Sequence, residues 1–297
     1  MPLAEPHTGL VFALTLQPAA RARNPLPGGP RLSQAGGALL REVQIIDEYG
    51  DHRTIAVPVE RPLSIRLDQQ IVATLWTLGA SAEWLVMGYL WTRRFVTDVT
   101  AIESISIDWA GGVAEVTTRS GFTPSHRHTV PPWLDFAGRI GTDPDGMLLI
   151  GDGLQLAPLP AQHLSRTTLL SILQYPLQND AIYRAAGSVH GCALFFDAEP
   201  WVSVEDVSRR NALDTICGWM ALHGISGTNM ILYTTGRLTA EVIMKAALSG
   251  IATIISRKGM TALCYDLAER LGMTLLGHAA RGRYICYAGA ERFDPRR

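Results

Sequence analysis

Three cation-bearing segments in the last third of the chain have the residue types of a site for a phosphorylated ligand. Each follows an apolar or β-branched run, and they are Thr235-Gly236-Arg237, Ser256-Arg257-Lys258-Gly259, and Gly277-His278 with Arg281-Gly282-Arg283. If each run is a parallel strand followed by a helix, the loops leave one sheet edge beside helix N-termini, which attract anions. The spacing therefore predicts a nucleotide site at that edge.

The elements that must position these segments alternate between strand and helix patterns. The predicted strands are residues 230–234, 251–255 and 273–276. Apolar residues at helical spacing form the series Leu213, Ile216, Cys217, Met220 and the series Leu263, Leu267, Leu271. Thr239 and Thr261 suit N-cap positions, and Gly250 and Gly272 stand where a helix end takes a left-handed residue.

His190 and Cys192 lie two residues apart in a Gly-rich segment between a predicted helix and a predicted strand. On an extended chain this spacing puts both side chains on one face, where the imidazole could activate a thiolate nucleophile. The alternative, which we favour, is a packed cysteine beside a hydrogen-bonded histidine. Gly187 has a separate role, because a glycine lets backbone approach a ligand closely.

Residues 205–214 predict the start of a helix that contacts an anion. Asp206 or Ser208 suits the N-cap position. Arg209 and Arg210 then fall in the first turn, where cations oppose the helix dipole at a cost of roughly a few tenths of a kcal/mol. A bound anion would offset that cost, so we expect a ligand at this helix start.

The composition is that of a globular protein without a general nucleic-acid or membrane surface. The chain has 297 residues, of which 47% are hydrophobic and 18% charged, and its formal net charge is -1. General nucleic-acid binders have a basic surface, and a membrane helix needs roughly 20 apolar residues in a row, which no run here approaches. No Lys or Arg precedes the short apolar run at residues 10–16, so we expect no signal peptide and a cytoplasmic protein.

The cysteines and histidines suggest neither disulfides nor a metal site. The four cysteines, at positions 192, 217, 264 and 286, are scattered and form no Cys-x-x-Cys pair. We expect buried, reduced thiols. His126 and His128 could supply two metal ligands, but no residue nearby completes a set, so we predict no metal site.

Four segments are predicted along the chain. Residues 1–40 are rich in Pro, Ala and Gly and predict a poorly ordered lead-in, whereas residues 41–120 contain hairpin patterns and one helix, typical of an antiparallel α+β module. Residues 121–160 cluster Gly, Pro and Asp and predict a long connecting loop. Residues 161–297 carry the α/β pattern and the nucleotide site, after a helical stretch that we expect to break near Pro176.

These segments together resemble the formate dehydrogenase accessory sulfurtransferase (FdhD) family. The family's Gly-Gly-x-His turn is similar to Gly187-Ser188-Val189-His190. Its Glu-Asp-Val-Gly-Arg-His-Asn-Ala-Leu-Asp segment is similar to residues 205–214, with two departures, and residues 236–261 follow its Gly-Arg…Lys-Ala…Gly-Ile…Ser…Thr pattern. The resemblance covers roughly residues 55–297 and is most specific in the C-terminal half.

The resemblance implies a three-layer α/β domain of the cytidine-deaminase-like type, in a protein that is usually a homodimer. It implies binding of GDP or GTP, or of the molybdenum bis-guanine-dinucleotide cofactor. The implied partners are a cysteine desulfurase and a formate dehydrogenase or a related molybdenum or tungsten oxidoreductase. Deaminase chemistry is not expected, because the required Glu and zinc-binding Cys-x-x-Cys are missing. The residues expected at the ligand are Gly187, His190, Arg209, Arg210, Asn211, Thr235, Gly236, Arg237, Ser256, Arg257, Lys258 and Thr261.

One departure from the family bears directly on function. Family members that relay sulfur hold a Cys-x-x-Cys between the two halves, but residues 120–160 of this chain contain no cysteine. A persulfide relay needs a thiolate there. We therefore predict a chaperone that binds the cofactor and assists maturation of a formate dehydrogenase. The alternative is an active sulfurtransferase that uses a non-standard cysteine, with Cys192 and His190 as the catalytic pair.

Overall fold

A computed structural model describes residues 25–119, 140–142, 148–150, 154–160 and 162–296. Within these ranges the chain forms six helices: α1 Ala82–Thr92, α2 Arg166–Asn179, α3 Ala181–Ala186, α4 Arg209–His223, α5 Ala240–Leu248 and α6 Ala262–Arg270. The strands of the first half are β1 Arg31–Leu32, β2 Leu40–Ile46, β3 His52–Pro58, β4 Arg61–Leu67, β5 Gln70–Thr77, β6 Ile102–Asp108 and β7 Val113–Thr118. Those that follow are β8 Ile140–Thr142, β9 Leu148–Ile150, β10 Leu154–Leu156, β11 Leu164–Ser165, β12 His190–Phe196, β13 Glu199–Asp206, β14 Met230–Thr234, β15 Thr253–Ser256, β16 Thr274–Ala280, β17 Arg283–Ala288 and β18 Phe293–Asp294.

The first half of the chain forms a five-stranded sheet in the order β1-β6-β7-β4-β5, and β2 with β3 forms a separate two-stranded hairpin. The three predicted hairpins are present as β2–β3, β4–β5 and β6–β7. The sheet is mixed rather than antiparallel throughout, because β1 pairs with β6 and β4 pairs with β7 in parallel. Helix α1 begins after the N-cap residue Ser81 and buries its apolar residues against the five-stranded sheet.

Parts of the expected lead-in and connecting loop contain regular structure. Residues 1–24 lie outside the described residues, but residues 25–40 carry β1 and the start of β2. In the segment expected to be a loop, β8, β9 and β10 pair as a three-stranded antiparallel sheet. The irregular-loop expectation is therefore wrong for these residues, since three short apolar strands satisfy their backbone groups by pairing. His126 and His128 lie outside the described residues.

The second half forms a six-stranded sheet in the order β13-β12-β14-β15-β16-β17, with helices on both faces. Strands β14, β15 and β16 are parallel, and the other pairs are antiparallel. One face packs against α4, α5 and α6, and the other packs against α2. The structure is thus a mixed α/β protein with a helix–sheet–helix second half. The helical stretch before it breaks at Asp180, between α2 and α3, rather than at Pro176.

The third predicted strand-and-helix unit is a hairpin instead. Strand β16 runs on to Ala280 and turns back into the antiparallel strand β17, so no helix follows it. The reason is local: Arg281 and Gly282 both have positive φ, at 52° and 76°, which suits a two-residue hairpin turn. Among the described residues, no helix is long and apolar enough to cross a membrane.

Helices α1 and α4 join the two halves through direct backbone contact. A Cβ atom on Gly88 would lie 1.7 Å from the carbonyl oxygen of Asp214, and one on Gly218 would lie 1.9 Å from that of Trp84. Side chains larger than hydrogen are therefore excluded at the crossing. This backbone contact between α1 and α4 consequently fixes the two sheets relative to each other.

A buried ionic network strengthens this junction. Asp214 of α4 accepts hydrogen bonds from Thr92 Oγ1 at 2.8 Å, from Arg93 Nη1 at 3.0 Å and from Lys245 Nζ at 2.9 Å. Lys245 is fully buried and also pairs with Glu241, at 2.9 Å, four residues earlier on the same helix. Because each buried charge has an opposite partner, the network holds α1, α4 and α5 in one arrangement.

Candidate functional site

The candidate site lies at the sheet edge where β14 and β15 end and β12 begins. Because β12 runs antiparallel to β14, its first residue, His190, stands beside the end of β14. Thr235 N donates to Gly191 O at 3.0 Å, and Gly191 N donates to Thr235 Oγ1 at 3.1 Å. His190 Nδ1 lies 3.4 Å from the same hydroxyl oxygen. Thr235 thus links the Gly-rich segment at the start of β12 to the loop that follows β14.

The loops after β14 and β15 are bonded to each other and form one rigid rim. Ser256 Oγ donates to Gly236 O at 2.6 Å and accepts from Lys258 N at 2.9 Å. Arg257 N donates to Thr234 O at 3.1 Å. Two loops predicted separately from the sequence therefore act as a single structural unit, with Ser256 buried beneath it.

Positively charged side chains converge on this rim from α4 and from both loops. A Cβ atom on Gly236 would lie 3.0 Å from Arg209 Cδ, so Arg209 packs directly over the glycine. Arg209 and Arg237 line one small pocket together with Thr234 and Gly236. Burial lowers the pKa of His190, and the charges of Arg209 and Lys258 lower it further. The rim is therefore an electropositive edge suited to an anionic ligand.

Arg210 and Asn211, both expected at the ligand, make structural contacts. Arg210 Nε donates to Glu241 Oε2 at 2.8 Å, which turns this side chain toward α5. Asn211 is buried and donates through Nδ2 to Trp76 O at 2.8 Å and to Asp206 Oδ1 at 3.1 Å. Asn211 thus fixes the first turn of α4, whereas the side chain of Arg210 is 63% exposed. A ligand role for both residues stays a prediction.

Gly187 and Thr261 shape the backbone next to the site. Gly187 ends α3 with φ of 62°, a conformation that favours glycine. Thr261 is the N-cap of α6, and its hydroxyl accepts from Cys264 N at 3.4 Å. The sequence-based N-cap prediction for Thr261 is confirmed by this bond, whereas its role at a ligand stays a prediction.

Asp206 sets the position of α4 through several hydrogen bonds. The sequence indicated this residue only as a possible N-cap. Its carboxylate accepts from Thr77 Oγ1 at 2.5 Å, from Leu78 N at 3.2 Å and from Ser208 N at 2.9 Å. Burial raises the pKa of Asp206 to about 6, although these donors lower it. The end of β5 thereby fixes the first turn of α4, and with it Arg209.

The structure argues against Cys192 as a nucleophile. Its side chain is 1% exposed, and Sγ donates to Thr234 Oγ1 at 3.3 Å. Burial raises the pKa of the Cys192 thiol to about 12, so the thiol stays protonated at neutral pH. His190 does not lower it: the imidazole approaches Thr235 instead. The burial of Cys192 and its hydrogen bond to Thr234 favour the packed-cysteine alternative over the catalytic pair.

Tyr233 packs on the α2 face of the sheet. Burial raises the pKa of its hydroxyl, and the charge of Arg257 opposes that rise. His278, from the third predicted segment, reaches the same edge, since its N–H donates to Lys258 O at 3.0 Å. Among the described residues, no group of three or more His, Cys, Asp or Glu side chains could hold a metal ion.

The fold and the site define a mixed α/β protein with an electropositive sheet edge formed by two bonded loops. This chain belongs to the FdhD/NarQ family, whose model matches residues 58–294. It is 26% identical over 261 residues to the sulfur carrier protein FdhD of Halalkalibacterium halodurans, a match that covers 84% of this chain and 93% of the relative. The sulfur carrier protein FdhD of Thermoplasma volcanium is 28% identical over 272 residues, covering 85% and 94%.

A solved structure supports the same family. A protein from Desulfotalea psychrophila, described as a formate dehydrogenase accessory protein, superimposes with a TM-score of 0.67 at 25% identity. The match covers 86% of this chain and 98% of that one. The similarity therefore extends over both halves of the described structure.

Proposed function

We propose that this protein is an accessory factor in formate dehydrogenase maturation that binds the guanine-nucleotide part of a molybdenum or tungsten cofactor. The observation that carries the proposal is that Arg209 and Arg237 line one pocket at the sheet edge where the loops after β14 and β15 are bonded to each other. Family membership and the names of the relatives support it, since these are called sulfur carrier or formate dehydrogenase accessory proteins.

The arginines at this edge are the groups that would bind a diphosphate. Guanidinium groups bind phosphate oxygens through two parallel N–H donors, and Arg209 and Arg237 line the same pocket. Arg209 is the first residue of α4, whose N-terminus carries partial positive charge. The missing side chain of Gly236 leaves room for the aliphatic part of Arg209, which packs against it. In this proposal the chain binds and orients the cofactor, and the bound metal centre carries the redox chemistry of the client enzyme.

Sulfur transfer through this chain's own thiols is the second candidate, and the described cysteines disfavour it. Cys192, Cys217 and Cys264 are buried, and burial raises the pKa of each thiol to about 12. Burial also raises the pKa of Cys286, which is partly exposed. We therefore propose a cofactor-binding chaperone. A cysteine desulfurase as partner would then deliver sulfur through a thiol supplied by another protein.

Three finer proposals follow from family membership. The helix–sheet–helix second half is proposed to be of the cytidine-deaminase-like type. The protein is proposed to work as a homodimer, and in the cytoplasm, where molybdenum enzymes would receive their cofactor. Sedimentation velocity tests the homodimer directly, because a monomer at micromolar concentration would contradict it.

Calorimetry with GDP and GTP tests the main proposal. Removing the charge of Arg237 by Arg237→Ala should weaken binding by about 1 to 3 kcal/mol, the range for a charge-assisted hydrogen bond. Arg31→Ala is the matched control, because Arg31 is exposed on the first sheet and pairs with Glu103. Absence of binding at millimolar nucleotide, or an equal loss in both variants, would contradict the proposal. Persulfide formed on incubation with a desulfurase would favour the sulfurtransferase instead.

A further inference from the structure

Strand β16 contains a bulge at His278, close to the loop that follows β15. The pairing of β16 with β17 shifts between Gly277, which opposes Ile285, and Ala280, which opposes Arg283, so β16 has one residue more than β17 in this interval. His278 lies inside the bulge and has a φ of 48°, which is uncommon for residues other than glycine. Bulges of this kind re-aim a side chain, and they are over-represented next to active sites.

The His278 imidazole lies against the loop after β15. A Cβ atom on Gly259 would lie 2.8 Å from His278 Nε2, so the ring occupies the space that a side chain at Gly259 would take. The backbone fixes this position, because His278 N donates to Lys258 O at 3.0 Å. Tyr287 of β17 lies beside the imidazole, with the two ring centroids 6.3 Å apart. A Cβ on Gly277 would lie 2.6 Å from Tyr287 Cε2, so a second glycine leaves room for this second ring.

Hydrogen bonds join the imidazole to the pocket lined by the two arginines. Lys258, which bonds to His278, donates through N to Ser256 Oγ at 2.9 Å, and Ser256 Oγ donates to Gly236 O at 2.6 Å in the lining of the pocket. Strands β14, β15 and β16 are adjacent and parallel. The ends of β14 and β16 are therefore two strand spacings apart, about 10 Å. The pocket and the imidazole thus belong to one sheet edge.

We propose that the imidazole of His278 is the platform on which the purine base of the bound nucleotide stacks. A nucleoside diphosphate carries its charge at one end and a flat aromatic ring at the other. The sheet edge has the matching groups at its two ends, with guanidinium groups beside β14 and the exposed imidazole beside β16. Histidine is among the side chains on which nucleic acid bases stack. This inference rests on the proposed function, to which it adds the residue that contacts the base.

Calorimetry with GDP and with inorganic pyrophosphate separates the contact to the base from the contacts to the phosphates. His278→Asn is the test variant, because asparagine lacks the ring and tolerates a positive φ. It should weaken GDP binding about fivefold or more, as expected for the loss of one base–aromatic contact, and leave pyrophosphate binding unchanged. His278→Phe keeps an aromatic ring and should restore GDP affinity to within about twofold of wild type.

The outcomes that oppose the inference are equally specific. Unchanged GDP affinity in His278→Asn, or equal losses for GDP and pyrophosphate, would overturn the platform, because the second result assigns His278 to the phosphates or to the fold. His52→Asn makes the same substitution at an exposed histidine of β3 and should leave both affinities unchanged. A loss of GDP affinity in this control as large as that in His278→Asn would also overturn the inference.

A second variant displaces the imidazole without replacing the histidine, and it decides the question if His278→Asn does not fold. Gly259→Ala introduces a Cβ where the ring lies, so it should weaken GDP binding and leave pyrophosphate binding unchanged. Equal affinities of Gly259→Ala and wild type for GDP would count against the platform.

Proton NMR of the wild-type protein gives a direct readout of stacking. The ring protons of His278 should shift upfield on addition of GDP, through the ring current of the base, and pyrophosphate should not cause this shift. Bound GDP without the upfield shift overturns the platform alone. If GDP does not bind the wild-type protein at millimolar concentration, the proposed function fails and the platform fails with it.

Discussion

At the scale of single residues, the contacts that a charged side chain makes within the protein decide where its charge lies. Arg209 and Arg210 are neighbours in the chain, yet Arg209 packs over Gly236 at the rim while Arg210 pairs with Glu241. Arg209 thus lines the pocket at the rim, and Arg210 links α4 to α5 through a surface ion pair. An arginine's role follows from the direction of its guanidinium, which adjacent positions on a helix do not share.

Cys192 gives the first residue-scale prediction. Because its thiol is buried and protonated, Cys192→Ala should leave GDP affinity within about twofold of wild type. It should lower the free energy of unfolding by less than the roughly 2 to 5 kcal/mol of a large core truncation. Calorimetry and urea unfolding measure the two effects. Client formate dehydrogenase activity in a deletion strain that carries Cys192→Ala provides the functional test. Loss of that activity with GDP binding intact would restore the sulfurtransferase hypothesis.

At the scale of elements, the crossing of α1 and α4 gives a prediction for stability. A methyl group at Gly88 has no space, since its Cβ would overlap the backbone of Asp214. Gly88→Ala should therefore lower the free energy of unfolding by about 3 kcal/mol, the upper part of the overpacking range. Gly36→Ala is the control, because a Cβ there meets no atom within 4 Å and Gly36 does not have positive φ. Equal stability of the two variants in urea would contradict a tight crossing.

The sequence predicted those elements whose formation depends on neighbouring residues. Strands β14 and β15, their cation-bearing loops and the cap at Thr261 follow from local periodicity and turn chemistry. The prediction that a helix follows the third strand was wrong, because an apolar run looks the same whether a helix or an antiparallel strand comes next. The neighbour with which each strand pairs is set by the whole sheet and cannot be predicted from a short stretch of sequence.

The site residues that sequence reasoning missed are those fixed by distant contacts. Asp180 is a plain polar residue between two helices, and its proximity to Gly191 arises when β12 packs behind α3. Asp206 was considered as a cap, but its bonds to Thr77 and Leu78 span well over a hundred residues. The signal that could have found Asp180 is the neighbouring Gly191, since a glycine inside a buried strand suggests close approach by another group.

At the scale of the whole molecule, Asp180 predicts a pH dependence of stability. Its folded pKa is raised to about 7, above the value of an unfolded aspartate, so its cost to the folded state grows as pH rises from about 4 to 7. Asp180→Asn should therefore raise the melting temperature relative to wild type by about 2 to 4 °C at pH 7.5 and by less at pH 4.5. Scanning calorimetry at the two pH values measures the difference. A gain that is larger at pH 4.5 would reverse the sign and contradict the buried carboxyl.

The α1–α4 crossing also has a consequence for how the chain is made. On the ribosome, α4 begins about 120 residues after α1 ends, which at roughly 5 to 20 residues per second is a delay of several seconds or more. During that time the small-residue surface around Gly88 has no partner. The first sheet can form, but the contact between α1 and α4 that holds it against the second half is missing. The nascent first half should thus be the stage most sensitive to aggregation and most dependent on chaperones. Synthesis of α4 would end that vulnerability, well before the last strand of the second sheet has been translated.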